Sequence, residues 1–516
     1  MQKPITALTA LAAILASATI GCGGSSSSSQ AATEVQSPKH VILIIGDGMQ
    51  MEHEVAASRY LTGTDDGLAF HAFPFQSYVS TWDVTAYNKY ASFNGTASYA
   101  PGAVDASTGY DITLGGVAPY PVDTADHSSY FYLNSTLGWP ATDSASAATA
   151  MSTGYKTDDG NIAWLSGDPS TGGNRTANNG SLKTIAEIAR EERGMAIGVV
   201  STVPFNHATP AGFVSHNVNR NNYYIGYKSA TTGIADEIIS TIKPEVVIGG
   251  GHPLLDNPAY STTKGYISQS LHNTLKASSD FVFAERATGM NGSITLAQAA
   301  DTAVAGGKKL FGLYGGAGGN FEYHVPTDTP GSPSVARGSY ENPELKDASV
   351  AALKVLSQNE KGFFLMIEQG DIDWANHANQ YENMIGCMYD LNETVKSVVS
   401  YVDQPGDDID WTNTLLIVTS DHSNSFMRLS TTNTLGIGDL PPTDATERAN
   451  YVTYGTTGHT NELVTIYAKG PTAALTTLSS NYRTWYNADI LDNTHLFHSM
   501  ATFIGAPKTS PLTVTQ

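Results

Sequence analysis

The feature that most constrains this sequence is a recurring apolar run that stops at glycines, carboxylates or histidines. The runs are HVILIIGDGM, GMAIGVVST, PEVVIGGG, KKLFGLYGGAGG, KGFFLMIEQGDID, NTLLIVTSDHS and NELVTIYAKG. Continuous apolar runs of this length are typical of strands buried on both faces of a parallel sheet. Stretches with helical spacing, such as SLKTIAEIAREER and NPELKDASVAALKVLSQNEK, lie between them. The alternation predicts an α/β fold with a doubly wound, mostly parallel central sheet flanked by helices.

The N-terminal segment has the pattern of an export signal rather than of a fold. Lys3 precedes ITALTALAAILASATI, an apolar stretch too short to span a membrane comfortably. Cys22 and the Ser/Gly-rich tether behind it resemble the lipid-modified start of bacterial lipoproteins, although Thr19 stands where Leu is usual. Secretion with cleavage nearby is the alternative. We expect residues 1–37 to be signal and tether, residues 38–516 to be one domain, and the protein to be exported. It would be periplasmic, or a lipoprotein of the outer membrane or cell surface that touches membrane only through its lipid.

Composition narrows the partners and the redox chemistry. The formal net charge of −21 argues against nucleic acid, because an acidic chain gains nothing from counterion release. A small anionic substrate is still compatible with this net charge, because a local cluster of cations, especially metal ions, can make one pocket positive. With only one other cysteine, Cys387, no disulfide framework is expected, and Cys387 is predicted to be a small buried hydrophobe.

Residues 83–140 interrupt the alternation. They are rich in Tyr, Ser, Thr, Asn and Gly, which predicts an insertion of loops and short strands over the active-site edge of the sheet. Such an insertion could restrict large substrates or form a contact in a homodimer, and its composition is compatible with both.

Polar residues at the ends of the predicted strands are oxygen and imidazole ligands. In an open α/β sheet, ligands bind beyond the carboxyl ends of the strands. Asp373 and His377 are four residues apart, which places them on one face of a helix. Each residue alone could be a helix cap, a turn or a solvated face, but several buried carboxylates repel one another unless cations neutralise them. The donor types favour a catalytic zinc or magnesium/manganese site. The set comprises Asp47, Glu368, Asp373, His377, Asp421, His422 and His459.

The segment ATDSASAATAMSTGYKT predicts a helix of small residues that begins at Ser144. Free N–H groups and the helix dipole favour an anion there. A metal on the Ser144 oxygen would lower its pKa and activate it as a nucleophile. The small side chains would let the helix pack close to the sheet. The alternative is a tightly packed helix without chemistry.

These segments together resemble the alkaline phosphatase family. TDSASAATAMSTGYKT is similar to the nucleophile segment of that family. IGDGM, HATPAGFVSHNVNR, NEKGFFLMIEQGDIDWANHA, TSDHS and TGHT follow in the family's order and at comparable spacings, from about His40 to the C-terminus.

The resemblance implies a role for each matching residue. Ser144 would accept the phosphoryl group, and Arg220 would clamp two phosphate oxygens, which a guanidinium matches bidentately. Two zinc ions are implied, one held by Asp47, Asp421 and His422, the other by Asp373, His377 and His459. A third metal, usually magnesium, would be held by Glu368, Thr209 and the shared Asp47.

Two positions depart from the best-known bacterial pattern of the family. His207 stands where that pattern has Asp, and Trp374 stands where it has Lys. Both are expected to lie just outside the metal ligands, near the third metal and the substrate phosphate. The departures leave the two-zinc core intact and bear on how tightly magnesium and phosphate are held.

The resemblance implies hydrolysis of small phosphate monoesters through a phosphoserine intermediate at a two-zinc plus magnesium site. A phosphodiesterase of the same superfamily is the nearest alternative, although such relatives commonly use threonine and lack the arginine clamp. A sulfatase is disfavoured because DSASAATA lacks the Pro-x-Arg pattern. A non-catalytic surface lipoprotein that binds phosphate or metal is the alternative from another class.

Overall fold

The structure is a computed structural model that describes residues 40–93, 104–105, 109–110, 141–166, 180–224, 233–253, 265–316, 319–485 and 488–506. The predicted export segment, with Cys22, lies outside these residues, as does most of the predicted insertion. Among the described helices, none combines the length and the apolar character needed to cross a bilayer.

Within the described residues the strands are β1 (His40–Gly46), β2 (Phe75–Ser80), β3 (Val104–Asp105), β4 (Gly109–Tyr110), β5 (Ala196–Pro204), β6 (Val246–Gly250), β7 (Phe281–Glu285), β8 (Lys309–Leu313), β9 (His324–Thr327), β10 (Ser334–Arg337), β11 (Phe363–Gln369), β12 (Thr414–Thr419), β13 (Ser423–Asn424), β14 (Met427–Leu429), β15 (Val452–Tyr454), β16 (His459–Thr460), β17 (Val464–Lys469), β18 (Arg483–Trp485) and β19 (Ala488–Asp492).

The helices are α1 (Met51–Thr62), α2 (Val84–Phe93), α3 (Ser144–Thr153), α4 (Ile185–Arg193), α5 (Ala208–Val214), α6 (Ile234–Asp236, continued by a π-helix over Glu237–Ile242), α7 (Gln269–Lys276), α8 (Gly292–Gly306), α9 (Leu345–Leu356), α10 (Asp371–His377), α11 (Tyr381–Val402), α12 (Ala445–Arg448), α13 (Thr472–Ser480) and α14 (Thr494–Phe503), with a 3₁₀ turn at Ala69–Ala72.

The predicted doubly wound α/β sheet is confirmed. Eleven described strands form one sheet in the order β18–β19–β2–β17–β12–β1–β11–β5–β6–β8–β7. All seven apolar runs of the sequence are strands of this sheet. Only β17 and β18 run against the other strands. The run NELVTIYAKG therefore forms an antiparallel strand, although its apolar pattern does not distinguish it from its parallel neighbours.

The sheet is covered by helices on both faces, and β1 shows how. Val41, Leu43 and Ile45 belong to one apolar core, which α3, α4, α5 and α14 cover. Ile42 and Ile44 belong to the other core, which α1, α9 and α11 cover. All seven residues of β1 are buried. The continuous apolar run is thus explained by burial on both faces.

The parallel register brings the strand ends to one edge. Ile45 of β1 pairs with Glu368 of β11 on one side and with Thr419 of β12 on the other. Asp47 follows β1 directly after Gly46, and Asp421 lies two residues beyond Thr419. Since the register aligns these positions, Asp47, Glu368 and Asp421 converge at the carboxyl edge of the sheet centre.

The small residues of α3 are explained by close helix packing. Every residue of α3 is buried. A Cβ atom added at Gly212 of α5 would lie 2.7 Å from Ala148 Cβ. The two helices therefore approach so closely that position 212 requires glycine opposite Ala148. Ser152 Oγ donates to Gly212 O at 2.6 Å. The main neighbouring helices of α3 are α5 and α14, and apolar side chains of α3 belong to the core that covers this face of the sheet.

The start of the predicted insertion is helical, which corrects our expectation of loops and short strands. Asp83 is buried, and its Oδ1 accepts a hydrogen bond from Ala86 N at 2.7 Å at the start of α2. This capping contact favours a helix where composition indicated a loop. The described remainder of 83–140 is a two-stranded pair, β3 with β4. Cys387 is buried in α11, as predicted.

Candidate active site

Ser144 lies at the N-terminus of α3. Asp143 is the N-cap residue, and its Oδ1 accepts a hydrogen bond from Ser146 N at 2.9 Å. Ser144 is buried, and its Oγ is 3.2 Å from His422 Nε2. The hydroxyl therefore lies where the free backbone N–H groups of a helix face an anion, and beside one of the predicted metal ligands.

Arg220 is held beside Ser144 by Asp143. Arg220 Nη1 donates to Asp143 Oδ2 at 2.7 Å, and the Arg220 backbone N donates to Gly160 O at 2.8 Å. Burial raises the pKa of the Asp143 carboxyl, but Arg220 and the Ser146 donors outweigh it and hold the pKa well below its ordinary value. Asp143 thus stays charged while it caps the helix and positions the guanidinium. Asp143 was not among the site residues predicted from the sequence, although an Asp just before a helix is a recognisable N-cap signal.

The first predicted ligand group is brought together. His422 Nε2 is 3.4 Å from Asp47 Oδ1 and 3.4 Å from Asp421 Oδ2. Asp421 Oδ1 accepts a hydrogen bond from Gly48 N at 3.1 Å. Asp47 Oδ1 and Asp421 Oδ2 are buried without a hydrogen-bond partner. The unpartnered oxygens and the Nε2 atom therefore point at a common volume.

The second predicted ligand group is also brought together. Asp373 Oδ2 is 3.3 Å from His377 Nε2, and Asp373 Oδ1 is 3.3 Å from His459 Nε2. The two Nε2 atoms are 3.1 Å apart. Four ligand atoms around a tetrahedral zinc with bonds of about 2.0–2.1 Å are about 3.3–3.4 Å apart. The distances measured in the two groups, 3.1–3.4 Å, are close to this spacing.

Backbone carbonyls determine which nitrogen of each second-group histidine is available. His377 Nδ1 is 2.6 Å from Thr457 O, and His459 Nδ1 is 2.8 Å from Thr142 O. A carbonyl only accepts, so each Nδ1 carries a proton, and each Nε2 is the nitrogen left to face Asp373 and a bound metal. Asn424 Nδ2 donates to Asp373 Oδ1 at 2.6 Å and orients that carboxylate. Asn424 was missed because an asparagine after TSDHS has no distinctive sequence signal.

Asp373 lies between the two groups. Its carboxylate oxygens are within 4.8 Å both of His377 and His459 and of Asp47 and His422. Burial, together with repulsion from Asp421 and Asp373, raises the pKa of Asp47 well above its ordinary value. The four carboxylates Asp47, Glu368, Asp373 and Asp421 are all buried. Cations at this edge would relieve their repulsion.

Glu368 and Thr209 occupy the third predicted position. Glu368 Oε2 accepts a hydrogen bond from Ser201 Oγ at 2.5 Å. Glu368 Oε1 and Thr209 Oγ1 are buried without a hydrogen-bond partner. Burial and the nearby Asp421 raise the pKa of Glu368 to about 7 despite the Ser201 donor. Two unsatisfied oxygens form the donor type that magnesium prefers.

His207 and Trp374 lie next to each other at the side of the site. Their ring centroids are 6.1 Å apart, and Tyr223 stacks on His207 with centroids 6.5 Å apart. Burial and the Arg220 charge lower the pKa of His207 to about 3, so this imidazole is neutral. Trp374 follows the ligand Asp373, and 38% of its surface is exposed. Uncharged aromatic rings therefore lie near Arg220, whereas a lysine at position 374 would add a positive charge there.

The described geometry defines a class of protein: an α/β fold with a candidate multi-metal centre at the sheet edge and a serine at a helix N-terminus. The family model for alkaline phosphatase matches residues 121–451. This chain belongs to the alkaline phosphatase family.

Individual relatives are distant. The alkaline phosphatase of Escherichia coli K12 is 29% identical over 410 residues, which cover 73% of this chain and 77% of the relative. Bacillus subtilis alkaline phosphatase 4 is 28% identical over 287 residues, covering 55% of this chain and 49% of the relative. Alkaline phosphatase 3 of the same species is 27% identical over 387 residues, which cover 75% of this chain and 61% of the relative. The chain thus spans about half to three-fifths of these two relatives.

Solved alkaline phosphatases share the fold. The enzyme of the Antarctic bacterium TAB5 has a TM-score of 0.54 at 21% identity, covering 91% of this chain and 99% of that one. The cold-active enzyme of a psychrophilic Shewanella has a TM-score of 0.56 at 22% identity, covering 90% and 99%.

Proposed function

We propose that the protein hydrolyses small phosphate monoesters to an alcohol and inorganic phosphate through a phosphoserine at Ser144. The observation that carries the proposal is the position of Ser144 Oγ, at a helix N-terminus and 3.2 Å from His422 Nε2 in the first ligand group. A serine hydroxyl with no activating group is a weak nucleophile, and a metal bound by the first ligand group would lie within reach of this hydroxyl.

We propose that two zinc ions and one magnesium ion serve this reaction. The two zinc groups fit because their carboxylate oxygens and imidazole nitrogens lie 3.1–3.4 Å apart. The magnesium position fits because Glu368 Oε1 and Thr209 Oγ1 are buried oxygens without a hydrogen-bond partner. When bound, the metals would lower the pKa of the serine hydroxyl and neutralise charge on the phosphate oxygens. A solved variant of the TAB5 alkaline phosphatase has magnesium bound in its M3 site. The zinc ligands would be Asp47, Asp421 and His422, then Asp373, His377 and His459; the magnesium ligands would be Asp47, Glu368 and Thr209.

The protein's own groups then perform the displacement in two stages. Arg220 and the α3 N-terminus bind the phosphate oxygens and orient phosphorus toward Ser144. Ser144 Oγ loses its proton and forms a bond to phosphorus while the bond between phosphorus and the ester oxygen breaks. The departing ester oxygen takes up a proton, which gives the alcohol. Water then attacks phosphorus, the bond to Ser144 breaks, and inorganic phosphate is released. An arginine clamp suits a monoester, which offers three unshared oxygens.

The test compares p-nitrophenyl phosphate with bis-p-nitrophenyl phosphate at alkaline pH with zinc and magnesium supplied. We expect a large preference for the monoester, and Ser144→Ala to lower its turnover by roughly three orders of magnitude or more. Ser400→Ala, at an exposed position of α11, is the control and keeps the activity. A preference for the diester would replace the proposed substrate class. Full activity in Ser144→Ala would exclude the phosphoserine route.

We also propose that the protein is exported and carries a lipid on Cys22. Lys3, the apolar stretch behind it and the Ser/Gly-rich tether support this. Mass spectrometry of the mature N-terminal peptide is the test. We expect an acylated Cys22, and release from the membrane in Cys22→Ser. An unmodified N-terminus on a protein that does not associate with the membrane would overturn the lipid anchor and support secretion instead.

A further inference from the structure

His252, His272 and Glu285 form a separate group of metal-ligand side chains, which we call the edge cluster. His252 lies two residues beyond β6, Glu285 is the last residue of β7, and His272 lies in α7. β6 and β7 both pair with β8, at the outer end of the sheet order. The edge cluster shares no residue with the candidate active site, whose strand-end ligands follow β1, β11 and β12.

The donor atoms of the edge cluster converge on one carboxylate oxygen. Glu285 Oε2 is 2.7 Å from His272 Nε2 and 3.2 Å from His252 Nε2. All three ligand atoms lie within 4.8 Å of one another. Lengthening the distance to His252 by about 0.1–0.2 Å and the distance to His272 by about 0.6–0.7 Å would give the spacing of about 3.3–3.4 Å that tetrahedral zinc requires.

The other oxygen of Glu285 has its own partner. Lys276 Nζ is 2.9 Å from Glu285 Oε1, which leaves Oε2 to face the two imidazoles. Carboxylates that bind a metal through one oxygen are usually hydrogen-bonded through the other. The side chains of His252 and His272 are 8% and 5% exposed, while that of Glu285 is 27% exposed. The nitrogen donors are therefore desolvated, and the carboxylate side is open to an entering ion.

Ordered backbone holds the three residues. His252 N donates to Tyr314 O at 2.8 Å, and His272 N donates to Ser268 O at 3.0 Å in the first turn of α7. Glu285 pairs with Leu313 in the β7–β8 register. Because the donors lie on or beside regular elements, little conformational entropy is lost when an ion binds.

We propose that the edge cluster binds a divalent transition-metal ion of the zinc class, which ties the ends of β6 and β7 to α7. Two imidazoles and one carboxylate are the donor set of three-ligand zinc sites, in which water takes the fourth position. Calcium and magnesium prefer oxygen donors, so two nitrogens select against them. The competing possibility is that the two imidazoles only hydrogen-bond to Glu285.

The experiment measures zinc per chain in full-length protein that has been stripped with chelator, reloaded with zinc and freed of excess metal. Two variants remove a ligand, His272→Asn and the isosteric Glu285→Gln. The matched control is His324→Asn, which removes an imidazole that pairs with a single carboxylate, Asp390, at 2.5 Å. Hydrolysis of p-nitrophenyl phosphate is followed in parallel.

We expect each ligand variant to hold one zinc fewer per chain than the wild type, with its hydrolysis rate within about twofold and the control unchanged. Zinc reloading should also raise the Tm of the wild type by several degrees more than it raises the Tm of Glu285→Gln. Equal zinc content in wild type and Glu285→Gln would overturn the proposal. So would a zinc loss matched by loss of hydrolysis, because that zinc would belong to the candidate active site. The difference in zinc content is informative whether or not the protein hydrolyses phosphate monoesters.

Discussion

At the scale of single residues, the candidate active site depends on side chains that orient other side chains. Asp143 caps α3 and holds Arg220, and Asn424 orients Asp373. The carbonyl of Thr142 selects the tautomer of His459. These contacts limit the rotamers and protonation states of the groups that would bind metal and phosphate, which is the role of outer contacts in metal sites generally.

Trp374 offers a test of how phosphate is held. A lysine there would place an ammonium near the bound phosphate, where a charged hydrogen bond contributes about 1.5–3 kcal/mol. We expect Trp374→Lys to lower the inhibition constant of inorganic phosphate about tenfold or more relative to Trp374→Leu, which controls for loss of the indole. Inhibition by phosphate measured against p-nitrophenyl phosphate is the assay. Equal constants in the two variants would show that position 374 does not reach the phosphate.

At the scale of elements, the serine is positioned by the contact between α3 and α5. Gly212→Ala should improve helix propensity by about 0.5–1 kcal/mol, but its new Cβ would lie 2.7 Å from Ala148 Cβ. Overpacking of this kind costs about 1–3 kcal/mol. We expect a lower free energy of unfolding. We also expect lower turnover, because overpacking would displace α3 and with it Ser144. Gly306→Ala, in α8, meets only the flexible Lys308 side chain at 3.6 Å and is the control. Urea unfolding and initial rates measure both; an unchanged Gly212→Ala variant would mean that the helices can separate without consequence.

A buried charged histidine links three further segments and makes stability depend on pH. His216 is 3.1 Å from Glu187 of α4 and 2.9 Å from Glu237 of the π-helix. Burial lowers the pKa of His216, but Glu187 and Glu237 outweigh it and raise the pKa to about 10. The folded state therefore binds a proton that the unfolded state releases above about pH 6.5.

The stabilisation by His216 is thus complete below about pH 6.5 and is lost as pH rises toward about 10. We expect the difference in urea midpoint between wild type and His216→Gln to be largest in mildly acidic buffer and to narrow steadily through alkaline buffer. A difference that does not change with pH would show that His216 contributes by packing rather than by charge.

At the scale of the whole molecule, an acidic chain gathers four buried carboxylates at the centre of its sheet edge. Bound cations would stabilise the folded state, by about 2.7 kcal/mol for each metal present at a hundred times its Kd. We expect chelator to lower Tm by about 5–10 °C or more, and zinc with magnesium, but not calcium, to restore it. Differential scanning calorimetry measures the shift. A Tm that chelator leaves unchanged would argue against metal at this edge.

Short-range patterns were enough to predict the buried strands, the start of α3 and the types of side chain at the strand ends. A continuous apolar run indicates burial on both faces, and the order of the runs places Asp47, Glu368 and Asp421 at strand ends. The roles assigned to those residues came from the family resemblance and remain predictions.

The tertiary structure alone decided the direction of β17, the helix at Val84–Phe93, the pairing of Asp143 with Arg220 and the edge cluster. The last two join residues that are 13 to 77 positions apart, and the periodicity within a single helix or strand carries no information about such pairs. Strand direction depends on the path of the connecting chain rather than on side-chain pattern. The polar composition of 83–140 indicated loops. It gave no information about the single buried side chain, Asp83, that caps the helix at Val84–Phe93.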